Sequence, residues 1–169
     1  MKPRSLKSRA LQLLAQRDQS RLELKRKLLG RARRDAAAAR LGTESDAGTE
    51  PMDGSPAEVE ASVEHVLDWL ADHSFLSDAR FVESRVHARS SRFGNLRIHG
   101  ELARHGVTAS DAVSAALAES ELARAAAVRE RRFPALPADP AERARQGRFL
   151  AGRGFSPEVI QRVLRPLRA

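Results

Sequence analysis

Arginines are the residues here whose type and spacing could do chemistry. Arg80, Arg85, Arg89, Arg92, Arg97 and Arg104 recur among apolar positions over residues 75–117. Steps of four and three place Arg85, Arg89 and Arg92 along one side of one predicted helix. Phe81, Val82 and Val86 take another side, so the arginine stripe is expected to be exposed. A second concentration opens the chain: residues 1–34 hold twelve Lys or Arg against two acids. There Arg21, Lys25, Arg26 and Lys27 oppose Leu22, Leu24, Leu28 and Leu29 on one helix. The chemistry such faces offer is charge-assisted contact with a polyanion or an acidic protein surface.

Bond-making chemistry finds no support. The five histidines, His65, His73, His87, His99 and His105, form no H-x-x-x-H or H-E-x-x-H pair, and cysteine is absent. A metal site is therefore not expected. No G-x-x-x-x-G-K loop occurs, and Gly152 with Gly154 reads as a helix stop. The acids lie at helix starts or as i,i+4 partners of arginine. The expectation is a binding protein without cofactor, not an enzyme.

The elements that must position these cations are helices. Ala, Leu and Arg dominate, all helix formers, and no alternating β-branched run stands out. Aromatics are only 4% of the 169 residues, so several small cores of Leu, Val and Ala are expected rather than one deep core. The formal charge of +8 suits a polyanionic or acidic partner. The start lacks the apolar run of a secretory signal, and no stretch is long and apolar enough to span a bilayer, so a cytoplasmic monomer without membrane contact is the expectation.

Capping patterns punctuate the chain. Ser20 with Glu23, Ser55-Pro56-Ala57-Glu58, Ser77, Thr108 with Asp111, Asp139-Pro140-Ala141-Glu142 and Ser156-Pro157-Glu158 each open a helix. Breaks are predicted at Phe93-Gly94, at Gly106, between Leu117 and Glu121, and at Phe133-Pro134. An acidic segment at about 41–55 reads as a flexible insertion. Leu102-Ala103-Arg104-His105-Gly106-Val107-Thr108 superimposes on Leu150-Ala151-Gly152-Arg153-Gly154-Phe155-Ser156, and each is followed by an apolar pair one turn apart. The expected fold is all-α without a sheet: about nine helices in three tandem three-helix units, 1–73, 74–120 and 121–169, arranged as an elongated, curved array.

Several of these stretches resemble a known family. The run from Leu70 to Val82, with Leu76, Asp78, Arg80 and Phe81, resembles the signature of the RecX regulatory proteins. An R-x-G-x-x-x-I-x-x-E-L-x-x-x-G pattern, met by Arg92, Gly94, Ile98, Glu101, Leu102 and Gly106, is similar to theirs. So are residues 10–24 and 149–156. The resemblance covers nearly the whole chain outside about 31–56. It departs from the family at Ser74, where a glycine commonly ends the helix, and at the acidic insertion. The resemblance implies an all-helical regulator of the RecA recombinase, without cofactor. Such a protein binds RecA and its filament on single-stranded DNA, and restrains strand exchange, ATP hydrolysis and coprotease activity.

The family pattern assigns no binding residue, so the candidates rest on charge and spacing: Arg85, Arg89, Arg92, Arg97 and Arg104 in the middle unit, and Arg21, Lys25 and Arg26 in the first. Two other readings use the same faces: direct DNA binding by homeodomain-like three-helix modules, and an adaptor for an acidic protein. Scarce aromatics argue against base stacking; Phe93 is the one candidate, with core or helix-stop packing preferred.

Overall fold

The computed structural model describes residues 5–40 and 55–165, without the side chains of 36–40. Eight helices run through them: α1 Leu6–Gln16, α2 Arg21–Arg40, α3 Pro56–Asp72, α4 Asp78–Ser90, α5 Asn95–Arg104, α6 Asp111–Arg132, α7 Pro140–Gly152 and α8 Pro157–Val163. No strand occurs among the described residues. The all-α class is as the sequence implies. Of the acidic insertion expected at 41–55, residues 41–54 lie outside the described residues, and Ser55 is the cap of α3.

Short polar side chains start the helices by taking N–H groups that have no partner in the first turn. Ser55 Oγ accepts from Glu58 N, and the Glu58 carboxylate accepts from Ser55 N at 2.6 Å, a complete capping box. Ser20, Ser77, Asp139 and Ser156 accept from Glu23 N, Arg80 N, Glu142 N and Val159 N. One cap differs from expectation. Ser110, not Thr108, caps α6, its hydroxyl accepting from Val113 N.

The break predicted between Leu117 and Glu121 is absent, because α6 is continuous from Asp111 to Arg132. Nothing between those residues interrupts a helix: the stretch holds no Gly or Pro and is rich in Ala. Leu117, Glu121, Ala125 and Val128 fall on one buried stripe. This fusion accounts for eight described helices where about nine were expected.

The chain divides between Phe81 and Val82 into two units. In the first, Ala10, Leu24, Leu28, Val63, Leu67, Leu70 and Leu76 form a core. In the second, Ala125, Val128, Leu150, Phe155 and Leu164 form one, edged by Phe149, Val159, Ile160 and Val163. Ile98 and Leu102 are buried as expected of α5, but Leu96 is 61% exposed, so the apolar stripe of that helix is narrower than predicted.

One turn occurs three times. Gly106 has φ 71° and Gly154 φ 83°; the following residues, Val107 and Phe155, donate back to Leu102 O and Leu150 O. Ser74, with φ 60°, makes the same turn, and Phe75 donates to Leu70 O at 2.8 Å. Leu70, Leu102 and Leu150 anchor the three copies and are buried. A serine at the left-handed position sets the first copy apart from the other two in sequence. Truncating the middle anchor, Leu102→Ala, is expected to cost about 2–5 kcal/mol. Chemical denaturation followed by far-ultraviolet circular dichroism checks this, and an unchanged midpoint would contradict the packing.

Candidate functional site

In the first unit the basic side of α2 faces carboxylates of α3. Arg21 Nη2 lies 2.5 Å from Glu64 and 2.7 Å from Asp68; Lys25 Nζ lies 2.7 Å from Glu60 and 2.6 Å from Glu64. Hydrogen bonds from Lys25 and then Arg21 hold the Glu64 carboxyl below its ordinary value. Burial alone would raise the Glu23 carboxyl, but bonds from Arg17 and Lys27 lower it. Two of the three cations singled out in this unit are thus matched within it. Arg26 is exposed.

A carboxyl with a depressed folded-state value stabilises above its ordinary pKa of 4.5 and loses that contribution as pH falls through the lower value. Trp69 is the sole tryptophan and lies in this unit, so its fluorescence reports the unit's unfolding. Its thermal midpoint is expected to drop as pH is lowered below 4.5. Glu64→Gln should flatten that drop while costing no more than about 1 kcal/mol at neutral pH, because partly exposed pairs are screened.

The same unit carries an aromatic group that composition did not announce. Trp69 stacks on His73 at 4.0 Å and Phe75 at 5.7 Å, and Lys7 Nζ sits 3.1 Å above the Trp69 ring. Phe75 is 48% exposed.

The second unit is held by two turns in backbone contact. The turn between α4 and α5 meets the turn between α7 and α8: Gly94 N donates to Arg153 O at 3.0 Å, and Leu96 N to Gly154 O at 3.1 Å. A Cβ on Gly94 would lie 2.3 Å from both Gly154 O and Phe155 N. Gly154 is doubly constrained, with φ +83° and a virtual Cβ 2.4 Å from Arg97 Cβ. Backbone atoms cannot rotate aside as a flexible side chain can. Gly94→Ala is therefore expected to cost about 3 kcal/mol, the upper end of overpacking. A thermal melt of the variant checks it, and a destabilisation below about 1 kcal/mol would refute the contact.

Arg124 of α6 locks the first of these turns. Its guanidinium donates to Ser90 O, Phe93 O and Leu117 O at 3.2, 2.8 and 2.9 Å, to Asn95 Oδ1 at 2.5 Å and to Ser120 Oγ at 3.2 Å. Burial lowers its pKa, with the neighbouring Glu121 charge opposing. Glu121, itself buried, accepts from Asn95 N at 2.8 Å. It thereby caps α5, whose own N-cap is Gly94 and has no side chain to offer.

Around this joint four arginines lie near the Phe93 ring, and one of them, Arg153, lies nearer a second ring, 4.7 Å from the Phe149 centroid. The guanidinium carbons of Arg97, Arg89, Arg92 and Arg153 lie 4.4, 5.6, 5.7 and 6.0 Å from the centroid of half-buried Phe93. Glu101 pairs with Arg89 at 2.9 Å and Arg97 at 3.6 Å. Carbonyl oxygens take other donors: Arg97 to Gly152 O at 3.3 Å, Arg153 to Arg92 O at 3.3 Å and Arg131 to Ser91 O at 2.6 Å.

The expected stripe of three is corrected by this geometry. α4 ends at Ser90, so Arg92 stands in the following turn, exposed. Arg85 and Arg89 are half-buried: Arg85 Nη2 donates to His105 Nε2 at 3.0 Å, and Arg89 meets Glu101. Arg104 is exposed and donates to Gly100 O. The structure thus unites Arg89, Arg92 and Arg97, and leaves Arg85 and Arg104 apart from the Phe93 ring. It adds Arg153 and Arg131, which sequence spacing could not link to residue 93. Arg153 had one signal, its place in the repeated turn opposite His105. No group of three or more His, Cys, Asp or Glu suited to a metal occurs among the described residues.

Helical modules closed by a repeated turn, with an arginine-lined joint, define an all-helical protein of tandem three-helix domains. Residues 77–117 match the family model described as the second three-helix domain of RecX, and 119–164 the third. The border between them falls inside α6. The regulatory protein RecX of Ralstonia nicotianae is 45% identical over 164 residues, spanning 96% of this chain and 87% of that one. That of Serratia proteamaculans is 39% identical, spanning 95% and 96%. The crystal structure of RecX from Lactobacillus salivarius shares the fold, with a TM-score of 0.58 at 15% identity over 94% of this chain and 92% of that one. The chain belongs to the RecX family of regulatory proteins.

Proposed function

We propose that this protein binds RecA and its filament on single-stranded DNA and inhibits recombinase, ATPase and coprotease activity, as a cytoplasmic monomer without cofactor or enzymatic activity of its own. The observation that carries the reading is likeness along nearly the whole chain to proteins named regulatory protein RecX. The arginine surplus of the second unit supports it, since a nucleoprotein filament offers phosphates and acidic protein surface together. The fold is proposed to act as three tandem three-helix units, 1–73, 74–120 and 121–169. Arg89, Arg92 and Arg97 are the first candidates for contact, with Arg26 and Arg104 as further exposed cations. Arg21, Lys25 and Arg85 lie outside the group around Phe93 and are taken up by partners inside their own units, so they rank behind these.

The test is the steady-state ATPase rate of RecA on single-stranded DNA. A stoichiometric dose of this protein is expected to slow hydrolysis and to co-sediment with the filaments. An unchanged rate at that dose would refute the proposal.

A further inference from the structure

The arginine cluster at the joint carries more charge than its carboxylates offset. Four guanidinium groups lie within 6.0 Å of the Phe93 centroid. Among the described residues, Glu101 is their one carboxylate within 4.0 Å, and it serves only Arg89 and Arg97. Arg92 and Arg153 have no such partner, nor has Arg131 beside them. Carbonyl oxygens of Ser91, Arg92 and Gly152 accept from these side chains, which satisfies some N–H groups without cancelling charge. Each guanidinium has five N–H donors; exposed Arg92 spends none on the described protein, exposed Arg131 donates to Ala127 O and Ser91 O, and half-buried Arg153 donates to Arg92 O. Like charges fixed this close repel one another, and an anion relieves the repulsion. Arg97 packs over the Phe93 ring and Arg153 over Phe149, 4.4 and 4.7 Å from the centroids, and the backbone joint brings their main chains together.

We infer that this cluster is a binding site for the phosphodiester backbone of a nucleic-acid strand, with Arg92 and Arg153 as the phosphate-contacting residues. The inference rests on the proposed function and assigns this side of the second unit to the DNA of the filament rather than to RecA. A strand presents one negative charge about every 3.4 Å along its axis, uninterrupted by cations. That density suits clustered guanidinium groups better than the mixed signs of a protein surface. Arg97 lies 4.4 Å from the Phe93 centroid, so cations rather than bases occupy the ring's surroundings, and binding is expected to be indifferent to sequence.

The experiment measures binding of the intact protein to a fluorescent thymidine oligonucleotide by anisotropy, without RecA, across a salt series. Wild-type protein is expected to bind with an affinity that falls steeply with salt. Arg92→Ala should weaken binding about ten-fold or more. It should also flatten the slope of log affinity against log salt by about 0.7 for each phosphate no longer neutralised. Arg92→Glu should do more, and combining Arg92→Ala with Arg153→Ala should deepen the effect. Arg92 makes no polar contact inside the protein through its side chain among the described residues, so circular dichroism of its variants should match wild type. Equal affinity and slope for Arg92→Glu would overturn the inference. So would competition by polyglutamate as effective as that by the unlabelled oligonucleotide, which would assign the cluster to an acidic protein. The same variants assayed against RecA separate the two claims. Cluster-dependent DNA binding without any effect of wild type on RecA overturns the proposed function alone. RecA inhibition by wild type, with undiminished DNA binding by the variants, overturns this inference alone.

Discussion

The second unit depends on a contact between two turns that admits no side chain. Gly94 and Gly154 bring backbone to backbone, with N–H to O=C bonds of 3.0 and 3.1 Å on either side. Both conditions are steric before they are energetic. At Gly94 the space for a Cβ is filled by another main chain, and at Gly154 the left-handed φ adds a second reason for glycine. Because the turns are fixed, so are the residues that flank them: Arg92 and Arg97 on one side, Arg153 on the other. The arginine cluster is a consequence of the joint.

A joint made of turns leaves helix-end groups to satisfy, and α6 supplies them. Arg124 gathers three carbonyl oxygens and the Asn95 side chain, while Glu121 takes the Asn95 N–H. The pair lies one turn apart on α6 and serves both polarities, a donor for Ser90 O at the end of α4 and Phe93 O in the turn, and an acceptor for the start of α5. Burying a guanidinium is unfavourable when its donors are unmatched. Here five protein acceptors surround it, and Arg124 acts as a structural fastener. The first unit handles charge differently: Arg21 and Lys25 meet three carboxylates of α3 in a partly exposed network. The two units therefore use basic residues for opposite ends, neutralised in one and accumulated in the other.

The helices are legible in the sequence because their caps are local. Ser55-Pro56-Ala57-Glu58 and Asp139-Pro140-Ala141-Glu142 fix starts through bonds within four residues, and a reader needs no tertiary information to find them. The buried leucines of the repeat, Leu102 and Leu150, are legible for the same reason. Features that sequence reasoning misses are those set by distant partners. Spacing alone puts Arg92 on the helix of Arg85 and Arg89, yet the chain leaves the helix at Ser90 to reach the joint. Arg153 is sixty-one residues from Arg92 and meets it only through the fold. Leu96 fits an apolar stripe by period but is exposed, and its backbone N–H rather than its side chain meets the facing turn. The continuity of α6 is hidden because a repeat suggests a border where the backbone has no cause to break.

Membership of the RecX family gives this geometry its setting, and the joint gives the family resemblance a physical reading: Gly94 of the recognised pattern makes the contact, and Arg92 O beside it accepts from the Arg153 side chain. The most direct test is amide hydrogen exchange of Gly94 and Leu96 by nuclear magnetic resonance. If the joint is what holds the second unit together, both amides exchange as slowly as those of Leu102 and Val128 in the cores, and all speed up together when Gly154 is replaced by Ala. Rapid exchange at Gly94 and Leu96 while Leu102 and Val128 stay protected would contradict it.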